Sequence, residues 1–349
     1  MKGSVLMLYK LALIGFGNVG KSFIRLLERK RSRLRKDYGI EFRIVAIATG
    51  RHGLAIEPQG FQSKKVFTQL EKHSSLDALH RGKPLKGVLD LIQRSSADVM
   101  FEISPQDPWT GQPAIRHIEA ALKKRMHVVT ANKGPVVHAY RQLKRLAARS
   151  KVQFRHEGVV MDGTPIFNLA EMTLPATEVR GFEGILNATT NYLLEEMEKK
   201  KSLETALEEA KAMGIVESNP AVDVEGWDAT SKLCCLANVM MGANLRPSQV
   251  NREGIQNLTP EHLLNARNRG YCIRLLVRAW RDGRHVRGSV KPAEIPLTHT
   301  FATLRGDTTA LCIDTDTMEK ITIVEGPGGP HQTAFGLLSD FINIHRRCL

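Results

Sequence analysis

A glycine-rich loop between a strand and a helix constrains the fold of this chain most. Residues 8 to 14 (LYKLALI) are predicted to form a strand, GFGNVG follows directly, and a helical pattern then leads to a second strand at 41 to 49. In this order Gly15 permits the tight turn, Gly17 lets backbone approach a pyrophosphate, and Gly20 lets helix and strand pack closely. A GxGxxG motif in this context predicts a dinucleotide-binding domain.

The helix after this loop and the end of the second strand predict how the dinucleotide binds. Asn18 and Val19 begin the helix, whose N-terminal N–H groups attract phosphates. An NAD enzyme usually ends the second strand with an acidic residue for the ribose hydroxyls, whereas this chain has Thr49 and then Arg51. An arginine suits a 2′-phosphate, so NADP(H) is favoured over NAD(H). The alternative is that Arg51 is merely an exposed residue.

Further strands predict a doubly wound parallel sheet of the α/β class. Residues 98 to 103 and 127 to 133 are strand-like, with a helical segment between them, and strand–helix–strand order implies parallel pairing. Ligands bind beyond the carboxyl ends of such strands. The residues expected there, and so expected to bind the cofactor, are Ser104, Ala131, Asn132 and Lys133.

The character of the chain changes near residue 152. We therefore predict a dinucleotide-binding domain at 1 to 151, and an α+β domain at 152 to 318 with a sheet and helices on one face. A hairpin is expected at 271 to 290 with Asp282-Gly283 as its turn. Residues 319 to 349, a glycine-rich turn and an apolar helix, are expected to return to the first domain.

Composition excludes several classes of protein. The formal charge is +14, but its densest run, RKRSRLRK, has no interleaved aromatic residues, so a nucleic-acid partner is disfavoured. No apolar run reaches the roughly 18 residues that a membrane span needs, and we see no signal peptide. Five cysteines without a CxxC pair favour a reduced, cytoplasmic protein.

An acidic segment near the middle of the chain contains the candidate chemistry. It holds Glu217, Asp223 and Asp228 together with Lys232, and in a helix Asp228 and Lys232 share a face four residues apart. One interpretation is an ordinary helix ion pair. The other is a carboxylate beside an amine, arranged to bind a polar substrate and transfer a proton.

Five segments together resemble the homoserine dehydrogenase family. They are GFGNVG, TANK at 130 to 133, GILNATTNY at 184 to 192, ESNPAVDVEGWDATSK at 217 to 232 and, more loosely, the closing GPGG turn that contains Gly326. The resemblance implies a Rossmann-type domain completed by the C-terminal helix, with Gly326 beside the cofactor. It also implies a substrate and dimerisation domain, and assembly as a homodimer or a dimer of dimers.

The resemblance implies a reaction and assigns roles in it. Members of the family interconvert L-homoserine and L-aspartate 4-semialdehyde, a step towards threonine and methionine, by hydride transfer with a nicotinamide cofactor. Lys232 would be the acid/base, Asp228 would position it, and Lys133 would stabilise charge on the reacting oxygen. The substrate's ammonium would bind Glu217 and Asp223, and the same pocket would be lined by Asn187 and Thr189.

The chain also departs from the family pattern. Family members often bind a monovalent cation through backbone carbonyls, here those of Glu157 and Val160, but the glycine run that commonly follows is altered at 161 to 163. Ala188 replaces a usual glycine, and Ile215 replaces a common aromatic residue. Alternatives are therefore a relative that acts on another small hydroxy acid or amino aldehyde, or an inactive NADP(H)-binding sensor.

Overall fold

The computed structural model describes residues 6–213 and 220–348. Contacts divide the chain into unit 1, Met1–Ile166 with Gly329–Leu349, and unit 2, Phe167–Gly328. Residues 152–166 and 319–328 thus fall in a different unit from the one expected from composition. In the described ranges no helix is both long enough and apolar enough to cross a membrane.

Unit 1 alternates strands and helices. In chain order these are β1 (Met7–Ile14), α1 (Asn18–Tyr38), β2 (Ile40–Ala48), β3 (Leu54–Ile56), α2 (Ser63–His73), α3 (Val88–Arg94), β4 (Val99–Glu102), α4 (Ala114–Lys123), β5 (His127–Thr130), α5 (Lys133–Ser150) and β6 (Phe154–Arg155). Short 3₁₀ turns at Asp77–Leu79, Glu157–Val159 and Met161–Gly163 complete this part of unit 1.

The sheet of unit 1 has the order β3-β2-β1-β4-β5-β6. Strand β3 pairs antiparallel with β2, and all other neighbours are parallel. The predicted doubly wound α/β fold is confirmed. The strand order reverses between β1 and β4, and in such sheets a ligand binds in the crevice outside this point.

The strand expected at 127 to 133 is shorter than predicted. It ends at Thr130, and Lys133 is the first residue of α5. The Asn132 side chain caps this helix by accepting a hydrogen bond from the N–H of Gly134. The capping side chain therefore ends the extended conformation earlier than the apolar pattern indicates.

Unit 2 is an α+β unit built around a second sheet. Its elements are α6 (Phe167–Thr173), β7 (Val179–Ile185), α7 (Ala188–Glu198), α8 (Leu203–Ala212), α9 (Ala221–Val224), α10 (Trp227–Met240), β8 (Asn251–Arg252), α11 (Pro260–Asn268), β9 (Tyr271–Asp282), β10 (His285–Pro296), β11 (Thr309–Thr315) and β12 (Lys320–Glu325). The strand order is β12-β11-β7-β9-β10-β8, and α7, α10 and α11 contact β9.

The hairpin of unit 2 is confirmed, with its loop displaced by one residue. Asp282 pairs with His285, so the two-residue loop is Gly283-Arg284. Gly283 has a φ of 58°, a left-handed conformation that glycine adopts without a steric penalty.

The last helix, α12 (Pro330–Arg346), packs in unit 1 as predicted. The Phe341 ring lies 5.2 Å from the ring of Tyr9 on β1 and 6.0 Å from that of Phe101 on β4, measured between centroids. Burial of this apolar face, which also contacts α1, supplies the driving force that brings the C-terminal segment back to the first sheet.

Candidate active site

The glycine loop of unit 1 leaves space where a ligand would approach. Gly15 has a φ of 107°, and a Cβ there would lie 2.2 Å from the carbonyl oxygen of Ile103. A Cβ on Gly20 would lie 2.9 Å from the Gly15 oxygen, whereas one on Gly17 would meet no described atom within 4 Å. Gly15 and Gly20 therefore permit tight packing, and Gly17 leaves an open backbone surface.

Helix α1 presents its N-terminus at this loop. The helix begins at Asn18 after Gly17, which has no side chain to cap it, and its first turn contains no acidic residue. The N–H groups of Asn18, Val19 and Gly20 belong to the first turn of the helix, where backbone N–H groups have no hydrogen-bond acceptor within the helix. This arrangement attracts phosphate groups through the N–H groups and the helix dipole.

Arg51 lies in an ordered bend just beyond β2. The Thr49 hydroxyl donates to the Gly53 carbonyl at 3.0 Å and accepts from the His52 N–H at 2.7 Å. Arg51 is exposed at the tip of this bend. Its guanidinium is therefore accessible to an anionic group beyond the carboxyl end of β2.

Hydrogen bonds join the carboxyl ends of β4 and β5. The Thr130 hydroxyl donates to the carbonyl of Glu102 at 2.8 Å, and the Ala131 N–H donates to the same oxygen at 3.3 Å. The Asn132 amide donates to the Ser104 carbonyl at 3.2 Å, while its oxygen caps α5 at 3.0 Å. The structure thus brings the residues predicted at these strand ends together, with Lys133 immediately after them.

Glu102 is a residue of this region that the sequence did not single out. Its side chain is fully buried, and one carboxylate oxygen accepts from the Ser104 hydroxyl and lies 3.5 Å from Nδ1 of His117. Within the described residues its other oxygen has no hydrogen-bond partner. The available clue was one acidic residue at the end of an otherwise apolar strand, DVMFEI.

In unit 2 a network of side chains surrounds the predicted acid/base lysine. Lys232 Nζ lies 3.0 Å from Oδ2 of Asp228 and donates to the Leu186 carbonyl at 2.6 Å. Asn187 Nδ2 donates to Oδ1 of Asp223 at 2.6 Å and to Oδ2 of Asp228 at 3.0 Å. The structure therefore assembles four of the predicted residues from three separate segments.

This network is partly shielded from water. The side chains of Lys232 and Asp228 are 18% and 12% exposed, and Asn187 is buried. Charges interact more strongly here than on an open surface because less water screens them. The charges of Lys232 and Asp228 therefore attract each other more strongly than those of an exposed ion pair.

The structure also describes Thr189 and Gly326, which were predicted to lie near the substrate and the cofactor. Thr189 is half-buried in the first turn of α7. Gly326 follows β12 in unit 2, and a Cβ there would meet no described atom within 4 Å. Glu217, like Ile215, lies outside the described residues.

A stacked arginine supports the start of α10 and was not predicted. The guanidinium of Arg252 lies 3.6 Å from the ring centroid of Trp227, the first residue of α10. Trp227 Nε1 donates to the Glu225 carboxylate at 3.0 Å, and Arg252 donates to the Glu225 carbonyl. These contacts fix the residue just before Asp228.

The predicted cation site lies on a buried turn of unit 1. Glu157 and Val160 are each 1% exposed. The N–H of Glu157 donates to Asp340 at 2.7 Å, and its carboxylate accepts from the Ile166 N–H at 2.6 Å. No group of three or more His, Cys, Asp or Glu residues suited to a metal occurs within 6–213 and 220–348.

Comparisons with known proteins match nearly the whole chain. Residues 15–157 match the family model described as homoserine dehydrogenase, NAD binding domain, and residues 165–342 match the homoserine dehydrogenase model. A homoserine dehydrogenase of Methanocaldococcus jannaschii is 38% identical over 95% of this chain and 97% of its own length. An NAD(+)-dependent homoserine dehydrogenase of Pseudomonas canavaninivorans is 35% identical over 97% and 96%.

A solved structure is also similar. The crystal structure of a putative homoserine dehydrogenase from Archaeoglobus fulgidus aligns with a TM-score of 0.86 and 32% identity. The alignment covers 97% of this chain and 99% of that one. The alignment therefore covers both unit 1 and unit 2 of this chain with one solved structure.

Proposed function

Because this chain belongs to the homoserine dehydrogenase family and is an NAD(P)-dependent oxidoreductase, we propose that it interconverts L-homoserine and L-aspartate 4-semialdehyde. The family predicted from the five sequence segments is confirmed. The main support for the substrate is the network around Lys232, in which an amine, two carboxylates and an amide are linked in series, from Lys232 to Asp228, to Asn187 and to Asp223.

The chemistry requires one hydride and one proton to move. A bound nicotinamide would accept the hydride when the alcohol is oxidised, and the hydroxyl proton must then pass to a base. Lys232 Nζ takes this proton as the neutral amine, or returns it as the ammonium in the reverse direction. Asp228 and the Leu186 carbonyl hold Nζ in place from two directions. Lys133 stabilises negative charge that develops on the reacting oxygen.

The two remaining carboxylates recognise the amino group of the substrate. Asp223 and Glu217 bind the ammonium through charge-assisted hydrogen bonds, and Thr189 lines the same pocket. Asp223 supports this assignment because Asn187 holds its carboxylate within the network of Lys232. A substrate without an amino group should therefore bind poorly.

We further propose that NADP(H) is preferred over NAD(H). The support is the exposed Arg51 in the ordered bend after β2, where a guanidinium can pair with a 2′-phosphate. Gly15, Gly17 and the N-terminus of α1 would bind the pyrophosphate. The residues that follow β4 and β5 would contact the nicotinamide half of the cofactor. The related Pseudomonas protein is named NAD(+)-dependent, so the preference needs a direct test.

We also propose that a weakly bound monovalent cation lies at the buried turn after β6. The carbonyl oxygens of Glu157 and Val160 would be its ligands, and hard oxygen ligands without charge suit such an ion better than a transition metal. A cation there would stabilise the turn. Replacing sodium and potassium by a bulky organic cation should then lower thermal stability, and unchanged stability would argue against this site.

Assembly as a homodimer through the sheet of unit 2 completes the proposal. A surface groove of about 450 Å³ on this sheet is lined by residues of β7, β9, β10, β11 and β12. Trp280 in this groove and Val324 on β12 are 42% and 50% exposed, and a second copy of the chain would cover these apolar side chains. The expected cytoplasmic location stays a prediction.

The function is tested by NADP⁺ reduction with L-homoserine and with 4-hydroxybutyrate, which lacks the amino group. We expect turnover with L-homoserine and a kcat/KM at least about a hundredfold lower with 4-hydroxybutyrate, as for loss of a charge-assisted contact. Turnover with another hydroxy acid but none with L-homoserine would contradict the substrate. Cofactor binding without turnover of any substrate would indicate a sensor.

A further inference from the structure

The side-chain amide of Asn187 is engaged entirely within the protein. Its nitrogen has two hydrogens, and these face Oδ1 of Asp223 at 2.6 Å and Oδ2 of Asp228 at 3.0 Å. Its oxygen accepts the N–H of Thr190 at 2.8 Å and so caps α7. The residue is 4% exposed. No amide hydrogen is left for a substrate.

The chemistry of its neighbours fixes the orientation of this amide. A helix N-cap needs an acceptor, which only the oxygen of Asn187 can supply. Ionised carboxylates only accept, so the nitrogen must face Asp223 and Asp228. Rotating the amide by half a turn would place oxygen against two carboxylates and leave the Thr190 N–H facing a donor.

The amide also links groups with different tasks. Asp223 is proposed to bind the substrate's ammonium, whereas Asp228 holds Lys232, whose Nζ lies 3.0 Å from the same Oδ2 atom that Asn187 contacts. Two ionised carboxylates within reach of one nitrogen repel each other, and a donor that hydrogen-bonds to both offsets part of this cost. Asn187 supplies that donor without adding charge.

We propose that Asn187 is a positioning residue that couples the ammonium-binding carboxylate to the acid/base pair, and is not a substrate ligand. This inference rests on the proposed function of Asp223, Asp228 and Lys232. It changes the expectation from the family resemblance, in which Asn187 lined the substrate pocket.

The test uses two variants that keep the helix cap. Serine and aspartate both cap helices, so Asn187→Ser removes the amide and Asn187→Asp replaces it with a third acid. The matched control is Asn191→Ser. Asn191 lies on the same helix, is 1% exposed, and donates to the Gly306 carbonyl at 2.9 Å. The control therefore also removes a buried amide, but one with a different hydrogen-bond partner.

We expect Asn187→Ser to raise KM for L-homoserine and to lower kcat, each about tenfold. The effect of Asn187→Ser on KM should vanish when Asp223 is already replaced by asparagine. Its effect on kcat should vanish when Asp228 is already replaced by asparagine, because substitutions of residues in contact do not have additive effects. Asn191→Ser should lower the unfolding temperature only. A residue that touches substrate directly would instead raise KM in both backgrounds, which would overturn the proposal.

Asn187→Asp adds a pH dependence that a structural role would not produce. The charged groups described around this side chain are Asp223, Asp228 and Lys232. In this variant a protonated carboxyl group can donate to one of the neighbouring carboxylates, and an ionised one cannot. The ratio of variant to wild-type kcat/KM should therefore rise as the pH falls. A ratio that is independent of pH would contradict the coupling.

Two further outcomes are decisive. If both Asn187 variants fail to fold while Asn191→Ser folds, Asn187 is a structural residue and the proposal is wrong. If the wild type does not oxidise L-homoserine, the proposed function fails, and the network is then tested by unfolding alone. In that case Asn187→Ser should lower the unfolding temperature less in a variant that carries both Asp223→Asn and Asp228→Asn than it does in the wild type. An equal shift in the two proteins would overturn the coupling.

Discussion

Lys232 Nζ and Asp228 Oδ2 lie 3.0 Å apart, one turn from each other on α10. On an exposed helix such a spacing is common and contributes little. Here both side chains are mostly buried, and Lys232 also donates to the carbonyl of Leu186, which is far away in sequence. The pair is therefore held by unit 2 as a whole and not only by its own helix.

Asp228→Asn should lower kcat by about a hundredfold, the lower range for a proton-transfer group, while the protein remains folded. The amide keeps the volume of the side chain but cannot balance the charge of Lys232. Steady-state kinetics with L-homoserine measure the effect. Asp37→Asn is the control, since Asp37 forms an exposed i,i+4 pair with Arg33 on α1. Equal kcat values for wild type and Asp228→Asn would remove Asp228 from the mechanism.

Arg51→Ala should raise KM for NADP⁺ about tenfold or more and leave KM for NAD⁺ nearly unchanged. The expected loss is that of one charge-assisted contact to a phosphate. Arg29→Ala, at an exposed arginine of α1, is the matched control and should change neither constant. Equal effects of Arg51→Ala on both cofactors would contradict a contact to the 2′-phosphate.

The turn after β6 contains two left-handed residues that are not glycine. Met161 and Asp162 have φ values of 48° and 41°, a conformation that costs roughly 1 kcal/mol per residue without a compensating contact. Asp162→Gly relieves this conformation but also removes the hydrogen bond that the Asp162 carboxylate accepts from the Thr333 hydroxyl at 3.3 Å, so the free energy of unfolding in denaturant titrations should change by less than about 1 kcal/mol. Met161→Gly should lower it by about 2 kcal/mol or more, because the buried side chain is lost. A loss of about 2 kcal/mol or more for Asp162→Gly would show that relief of the left-handed conformation does not offset the lost hydrogen bond.

His156 should make the protein less stable in acid. Burial, with smaller effects from Lys144 and Arg155, lowers the pKa of His156 from 6.5 to about 3. Between these values the unfolded chain binds a proton that the folded protein does not, so stability falls as the pH falls from 6.5 towards 3, by at most about 1.4 kcal/mol per pH unit. His156→Phe should reduce this slope in unfolding measurements. His73→Ala, at an exposed site on α2, should leave it unchanged, and an unchanged slope in His156→Phe would refute the assignment.

Trp280→Glu should shift the protein from dimer to monomer in sedimentation velocity experiments. The variant puts a charge on the exposed face of the unit 2 sheet that is proposed to pair with a second copy, where desolvating the charge is costly. Trp109→Glu is the control, since Trp109 is 58% exposed but lies in unit 1. A Trp280→Glu variant that remains dimeric would exclude this face as the interface.

The sequence predicted features that depend on local spacing. GFGNVG predicted a glycine loop between a strand and a helix, which the structure has, and Asp228 and Lys232 share a face because four residues make about one helical turn. Local patterns alone can also mislead. Residues 300 to 305 alternate like a strand, yet Thr300–Thr303 form a 3₁₀ helix in which the His299 side chain accepts the Phe301 N–H. A side-chain cap outweighed the alternating pattern.

The long-range part of the site could not be predicted. Asn187 hydrogen-bonds to Asp223 and Asp228, which lie 36 and 41 residues away in the sequence. No rule of local spacing relates these segments. Their contact depends on how α7, α9 and α10 pack. The burial of Glu102 beneath Ser104 likewise depends on the neighbouring strand and helix. Single-sequence patterns report which residues are polar, but not which of them the fold brings together.

The most direct test of the account is the turnover of Lys232→Ala with L-homoserine and NADP⁺. Lys211→Ala is the matched control, because Lys211 is an exposed lysine on α8 of the same unit. We expect Lys232→Ala to bind NADP⁺ normally and to lose at least about a hundredfold in kcat, while Lys211→Ala keeps wild-type activity. A Lys232→Ala enzyme with wild-type kcat would contradict the assignment of Lys232 as the proton-transfer residue.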